Sequence, residues 1–199
     1  MALVKPSKKL ATQTLATETV SGADLYRISR HDAGEPFFGQ TGSNRFDDPS
    51  PKSRRYGVCY AGFDLITGLA ETLLHDEMPK DGMFHISAEA FKARKRVEFK
   101  AEGLVLVVMT GAQLKTLAGG GELSTVVPYD IPQAWSKALH AHPQNFDGIL
   151  YMSRHLNDRR AVAIFDRAQH KLKEVRYTPL SDAPGAMNAV LDLHISLSY

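Results

Sequence analysis

Apolar positions recur along this chain in short strand-like runs and in one longer helical stripe. Asp24 to Ser29 alternates as a strand does, with Leu25, Arg27 and Ser29 on one face and Tyr26 and Ile28 on the other. Tyr56 to Ala61 predicts a second short strand. Asp64 then caps a helix running to about His75, in which Leu65, Ile66, Leu69, Ala70, Leu73 and Leu74 form a buried face. Thr67, Glu71 and His75 share another stripe, with Gly68 beside it. Ser87 to Lys95 predicts a short helix, Val97 to Phe99 and Leu104 to Met109 predict strands, and Thr110 to Ala118 a helix ended by glycines. Gln133 to His142 reads as a helix stopped by Pro143. Gly148 to Met152 and Ala161 to Phe165 are apolar runs separated by the polar SRHLNDRR, hence two buried strands joined by a turn. Lys173 to Tyr177 predicts an edge strand and Ala186 to Leu193 a closing helix.

Strands and helices alternate without a regular βαβ period, which predicts an α+β fold with a mixed, largely antiparallel or split sheet and flanking helices. His31 to Lys52 is rich in glycine and proline and predicts a long loop, a length that is usually functional or disordered. The chain has 199 residues, enough for one domain with a sizeable core. MALVKPSKKLATQTLATETV lacks a signal-peptide run and predicts a flexible leader over residues 1–20, with residues 21–199 as a single catalytic domain. The longest apolar stretch, LVLVVM, falls far short of the ~20 residues that span a bilayer, so no membrane association is expected and the cytoplasm is the default location.

Charge and cysteine narrow the function classes. With 24 Lys and Arg against 22 Asp and Glu, the net charge of +2 is too small for a nucleic-acid footprint. The one cysteine, Cys59, excludes an internal disulfide framework and fits a reducing compartment. His140 and His142 precede Pro143 without completing a metal set, so no metal is expected. Gly119 to Gly121 lacks the Lys-Ser or Lys-Thr of a phosphate loop, and no dinucleotide fingerprint follows a strand.

The candidate chemistry lies in a few polar residues, each with a plainer reading beside it. Glu71, on a helix with Gly68 one turn earlier, is placed either to stabilise positive charge at a sugar carbon or to sit in solvent beside the core stripe. Arg27 and Arg45 present guanidinium forks suited to a diphosphate, or pair with acids: Arg27 with Asp24 or Asp32, Arg45 with Asp47 or Asp48. Tyr26, Tyr60 and Tyr151 offer a ring face and a hydroxyl to a nicotinamide or adenine, or are ordinary sheet residues. Ser153 either donates to a ribose hydroxyl, orients Glu71, or begins a turn; no nucleophile elbow surrounds it. His75 follows Glu71 by one turn, touching the site or, on the plainer reading, capping the helix.

The motifs LYRIS, SNRFD, YGVCYAG with AETLLHD, and GILYMSR, in that order from about Leu25 to Phe165, resemble the RES-domain family, named for an arginine, a glutamate and a serine. The resemblance implies a fold related to ADP-ribosyltransferase toxins and an activity that consumes NAD by breaking the nicotinamide–ribose bond. It implies catalytic roles for Arg27, Glu71 and Ser153, and NAD contacts from Arg27, Arg45, Tyr26, Tyr60 and Tyr151. NAD would be the substrate, with no further cofactor. The acceptor would be water in a glycohydrolase or phosphate in a phosphorylase, with protein ADP-ribosyltransfer as the alternative. Members often serve as toxins neutralised by an Xre-type helix-turn-helix antitoxin. Outside this class, KARKR at Lys92 to Arg96 is the only run suggesting a non-catalytic module that binds nucleic acid, and a solvated helix end explains it as well.

Overall fold

Alternating apolar residues build ten strands in the computed structural model, which describes residues 3–198. They are β1 (Thr17–Val20), β2 (Asp24–Ser29), β3 (Val58–Gly62), β4 (Phe84–Ser87), β5 (Lys95–Ala101), β6 (Leu104–Met109), β7 (Gly148–Met152), β8 (Arg160–Phe165), β9 (Leu172–Pro179) and β10 (Ile195–Ser198). Eight of them form one sheet in the order β1-β6-β7-β8-β3-β2-β5-β9, while β4 and β10 pair separately. Within the large sheet β6 and β7 run parallel and the other neighbours antiparallel. Five helices flank it: α1 (Leu65–Thr72), α2 (Ala88–Lys92), α3 (Gly111–Ala118), α4 (Asp130–His140) and α5 (Ala186–Asp192). The fold is therefore a single mixed α+β domain with a curled, mostly antiparallel sheet.

The sheet is pinched at one seam. β3 pairs with β8 along its whole length and β2 with β5 along its whole length, but β2 and β3 pair only through Tyr26 and Gly62. Past that pair the strands part, and α1 leaves the end of β3 to lie against β2. Asp64 caps α1 by accepting from the Thr67 N–H at 2.8 Å.

Burial divides into three packed groups. Leu10, Leu15, Phe46, Trp135, Leu139 and Phe146 cover one side of the sheet with α3 and α4. Leu25, Phe99, Leu106, Leu150 and Ile164 fill the other side, where the curled strands pack on one another. Ile28, Leu69, Leu73, Phe91, Leu180 and Val190 join α1, α2 and α5 to the β4–β10 pair.

Several expectations change. The first residues are not a loose leader: β1 pairs with β6, Leu10 and Leu15 are buried, and Val4 O accepts from the Trp135 indole at 2.8 Å. Two glutamine amides clamp the segment, Gln144 on the backbone of Leu15 and Gln113 on that of Ala16. Met1 and Ala2 lie outside the described residues. TETV reads as polar because an edge strand buries little more than Val20. α4 begins at Asp130 rather than Gln133, since Pro132 occupies the first turn, where a missing N–H breaks no helical bond. α1 ends at Thr72 and α2 at Lys92, so KARKR is divided between a helix end and β5, with Lys95 paired to Asp32 and Arg96 to Glu98. Among the described residues no helix is long and apolar enough to cross a membrane.

If the N-terminal segment is part of the core, Leu15→Ala should lower unfolding free energy by about 2–5 kcal/mol, the usual range for truncating a buried leucine. Urea denaturation of the variant measures this, and a change near zero would return the segment to a loose leader.

Candidate functional site

The seam between β2 and β3 opens into a cleft of about 240 Å³. Where the strands part, the Arg27 guanidinium enters the gap: Nη1 donates to the Tyr60 carbonyl at 3.1 Å and Nε to Glu35 Oε1 at 3.1 Å. The acid that pairs with Arg27 thus comes from the long loop, and neither Asp24 nor Asp32 fills that place. Arg27 shares the Leu25 face of β2, as its alternation predicts, yet both it and Tyr26 border the cleft because the opening lies at the strand's side.

α1 forms the next wall. Gly68 faces β2, and a Cβ there would make ordinary contacts at 3.6 Å from the Ile28 side chain and 3.7 Å from the Tyr26 carbonyl, so the approach of the helix does not require glycine. Glu71 follows on the same side. Ser153, at the end of β7, donates to Glu71 Oε1 at 2.5 Å, and the Arg154 N–H reaches the same oxygen at 3.1 Å. Ser153 Oγ also accepts from the N–H groups of His155 and Leu156 at 3.2 and 3.1 Å. That hydroxyl is fully buried and its hydrogen-bonding capacity is spent, so it orients the carboxylate and has nothing left for a ribose. Both bonds fall on Oε1, and Glu71 lines the cleft.

The long loop supplies the opposite wall. Asp47, 1% exposed, gathers it: Oδ2 accepts from Thr41 Oγ1 and from the Gly42 and Asn44 N–H groups, and Oδ1 from the Tyr60 hydroxyl at 3.0 Å. The Phe46 N–H donates to the Tyr60 hydroxyl, and Ser136 on α4 donates to the Phe46 carbonyl. Arg45, two residues before Asp47, therefore points inward. It is 8% exposed and pairs with neither Asp47 nor Asp48; Nη1 donates to the carbonyls of Val126 and Leu123, and Tyr129 stacks under the guanidinium at 4.6 Å.

Electrostatics follow from this burial. Desolvation lowers the Arg45 pKa from its ordinary value, and neighbouring Arg154 pushes it the same way. A buried cation held only by carbonyls and an aromatic face favours an anion beside it. Burial also pushes the Tyr60 and Tyr151 phenols well above their ordinary range, with Asp47 adding to the first and Glu71 to the second. Both remain neutral. Tyr26 is raised by burial and by Asp24, and the Arg96 guanidinium lies 5.9 Å from its ring.

The structure thus gathers Tyr26, Arg27, Arg45, Tyr60, Glu71 and Tyr151 around one cleft, with Ser153 behind the carboxylate. The sequence reading did not name Tyr129, Arg154 or Asn44 among them, and it weighed His75 chiefly as a helix cap. His75 stands beyond the end of α1 and lines the cleft, so it caps nothing there. Arg154 had a local signal in its place next to Ser153. Tyr129 had none, because only the packing of α4 against the loop brings it to Arg45.

Comparison with known proteins bears on family and fold. A family model described as the RES domain matches residues 24–184. The "Probable toxin y4kH" of Sinorhizobium fredii (strain NBRC 101917 / NGR234) is 37% identical over 87 residues, which span 40% of this chain and 68% of that protein. A chain from the crystal structure of the M. tuberculosis MbcT-MbcA toxin-antitoxin complex superposes with a TM-score of 0.57 at 12% identity, covering 88% of this chain and 91% of that chain. At that identity the likeness is one of fold.

Tyr60, partly buried, and Tyr151, buried, should respond differently to loss of the hydroxyl. Tyr60→Phe strands Asp47 and the Phe46 N–H, which costs about 1–3 kcal/mol, whereas the Tyr151 ring packs edge-on to Phe46 and its replacement by Phe should cost under about 1 kcal/mol. Thermal unfolding of the two variants side by side measures the difference, and equal losses would contradict the loop anchor.

Proposed function

The chain belongs to the RES-domain family, and from that premise we propose that it degrades NAD by cleaving the nicotinamide–ribose bond, as the toxin of a toxin-antitoxin pair. The observation that carries this reading is Glu71, a carboxylate fixed through one oxygen by Ser153 and Arg154 at the edge of a cleft. The cleft is smaller than the ~300–1,000 Å³ that encloses a drug-sized ligand, so it would take the nicotinamide riboside end of a dinucleotide and leave the remainder along its open side.

The chemistry asks for little more than these residues provide. Nicotinamide is attached as a cationic pyridinium and departs neutral with the bonding electron pair, leaving positive charge at the ribosyl C1′. Glu71 Oε2 meets that charge, and because Ser153 and Arg154 hold the carboxylate beforehand, little reorganisation accompanies the reaction. Arg45 takes an anionic phosphate in exchange for the hydration it has lost. Arg27 has two donors engaged by Glu35 and Tyr60, and its remaining N–H groups are offered to the same diphosphate or to ribose. Tyr60 presents its ring alone, its hydroxyl being committed to Asp47, while Tyr26 and Tyr151 bracket the aromatic end. No hydride carrier or metal is needed for this bond cleavage. Water as acceptor yields ADP-ribose, and phosphate yields its phosphorylated form.

The relative named a probable toxin, and the fold neighbour taken from a toxin-antitoxin complex, support the toxin role and a protein antitoxin as partner. Because RES-domain toxins are often neutralised by an Xre-type helix-turn-helix protein, a protein of that type is the partner proposed here, with the cytoplasm as the proposed location.

Purified protein incubated with NAD should release free nicotinamide, and Glu71→Gln should slow that release by about 10²–10³-fold, the cost of removing one electrostatic stabiliser of a transition state. Runs with and without phosphate identify the acceptor. If wild type releases no nicotinamide in either, the proposal is abandoned; radiolabel appearing on a macromolecule would make the enzyme an ADP-ribosyltransferase instead.

A further inference from the structure

Two histidines outside the arginine–glutamate–serine set stand beside Glu71. His75 lines the cleft four residues after the glutamate, beyond the end of α1, and His155 lies two residues beyond Ser153. Nδ1 of His75 is 3.4 Å from Nε2 of His155, with ring centroids 5.5 Å apart and planes at 67°. The His155 N–H is bonded to Ser153 Oγ, the same hydroxyl that holds Glu71, so one turn of chain fixes both the carboxylate and the imidazole pair. The other nitrogen of His75 has only a loose neighbour, an exposed Asp76 carboxylate at 3.8 Å.

At the 3.4 Å between the two ring nitrogens, the tautomers decide which ring donates. For the two rings to bond, one nitrogen donates and the other accepts, so the accepting ring is neutral. Burial, then His75, Arg154 and Arg45, oppose a proton on His155, and Glu71 favours it; the balance lies below the ordinary histidine value of 6.5. His155 is therefore the ring that accepts, through Nε2, from the Nδ1–H of His75, and that tautomer puts the lone pair of an uncharged His75 on Nε2.

Cleavage of NAD by water leaves one proton to place. As the C1′–N bond breaks and its electron pair departs with nicotinamide, the water oxygen bonds C1′ and must lose a proton. We propose that His75, held in place by His155, is the general base that takes this proton from the attacking water and passes it to solvent. Glu71 is then left to stabilise charge. The inference rests on the NAD-cleaving reading of the same cleft. It also separates acceptors: azide or hydrogen phosphate brings an anionic oxygen or nitrogen to C1′ and needs no base.

The test follows nicotinamide release in phosphate-free buffer. His75→Ala should lose about 10²-fold or more of the wild-type rate, keep the wild-type melting temperature, and recover release when azide is added, with ADP-ribosyl azide as product. Glu71→Gln should not recover with azide. In wild type, kcat/KM should fall at low pH as the histidine pair takes up a proton. His155→Phe should move that limb, which a purely structural histidine would leave in place. A His75→Ala enzyme with wild-type rate and pH profile, or one that azide fails to restore, overturns the inference while nicotinamide release by wild type still stands. If wild type releases none, the NAD reading falls and this inference falls with it.

Discussion

Strands β2 and β3 share only the pair Tyr26 and Gly62, and beyond it the backbone of each must find other partners, since buried N–H and C=O groups left alone are costly. Arg27 resolves this on one side by bonding the Tyr60 carbonyl while Glu35 neutralises it. On the other, the chain leaves β3 directly into α1, whose first turn is capped by Asp64 and pinned by the Arg159–Asp64 ion pair at 2.8 Å. The gap opens as a cleft lined by both strands and by α1. Arg27 is thus a wedge in the sheet before it is anything to a ligand, and its strand position, its loop partner and the opening it maintains cannot be separated.

The same economy governs the loop from Arg30 to Gly57. A segment this long, with only a 3-10 turn at Lys52–Arg54 and a bridge from Gly39 to Val58, would ordinarily wander, but Asp47 converts it into a wall by collecting donors from Thr41, Gly42, Asn44 and Tyr60. Gln133 on α4 adds bonds to the carbonyls of Gly42 and Asn44. The consequence is electrostatic: with Asp47 committed to the loop and Asp48 to the N–H groups of Ser50 and Tyr56, Arg45 enters the cleft with no carboxylate. Positive charge without a counter-ion gathers at one wall, and the oriented carboxylate of Glu71 stands at another. The two opposite charges thus line one cleft.

Much of the fold was legible because its signals are local. The alternation in DLYRIS, the helical stripe from Leu65 to Leu74 with its Asp64 cap, and the apolar runs LVLVVM and GILYM each fall within a few residues, and each forms the predicted element. β1 and β10 were not legible, since TETV and ISLS carry little apolar pattern and exist as strands only because β6 and β4 offer them an edge. The N-terminal segment misled for a related reason. Its burial rests on Gln113, Trp135 and Gln144, all more than ninety positions away along the chain.

For the site, the chain alone determined which residue types were available and where the ordered motifs lay, because spacing on one helix or strand is a local property. It placed Thr67, Glu71 and His75 on one stripe and put Ser153 at a strand end. It left open whether Glu71 met Ser153 or solvent, whether Arg45 met an acid or a cleft, and whether His75 capped a helix or faced His155. Those choices were made by contacts between segments some eighty residues apart, where the curl of the sheet sets the distances. Such contacts form only when the whole core is packed, and no pattern within a single element encodes them.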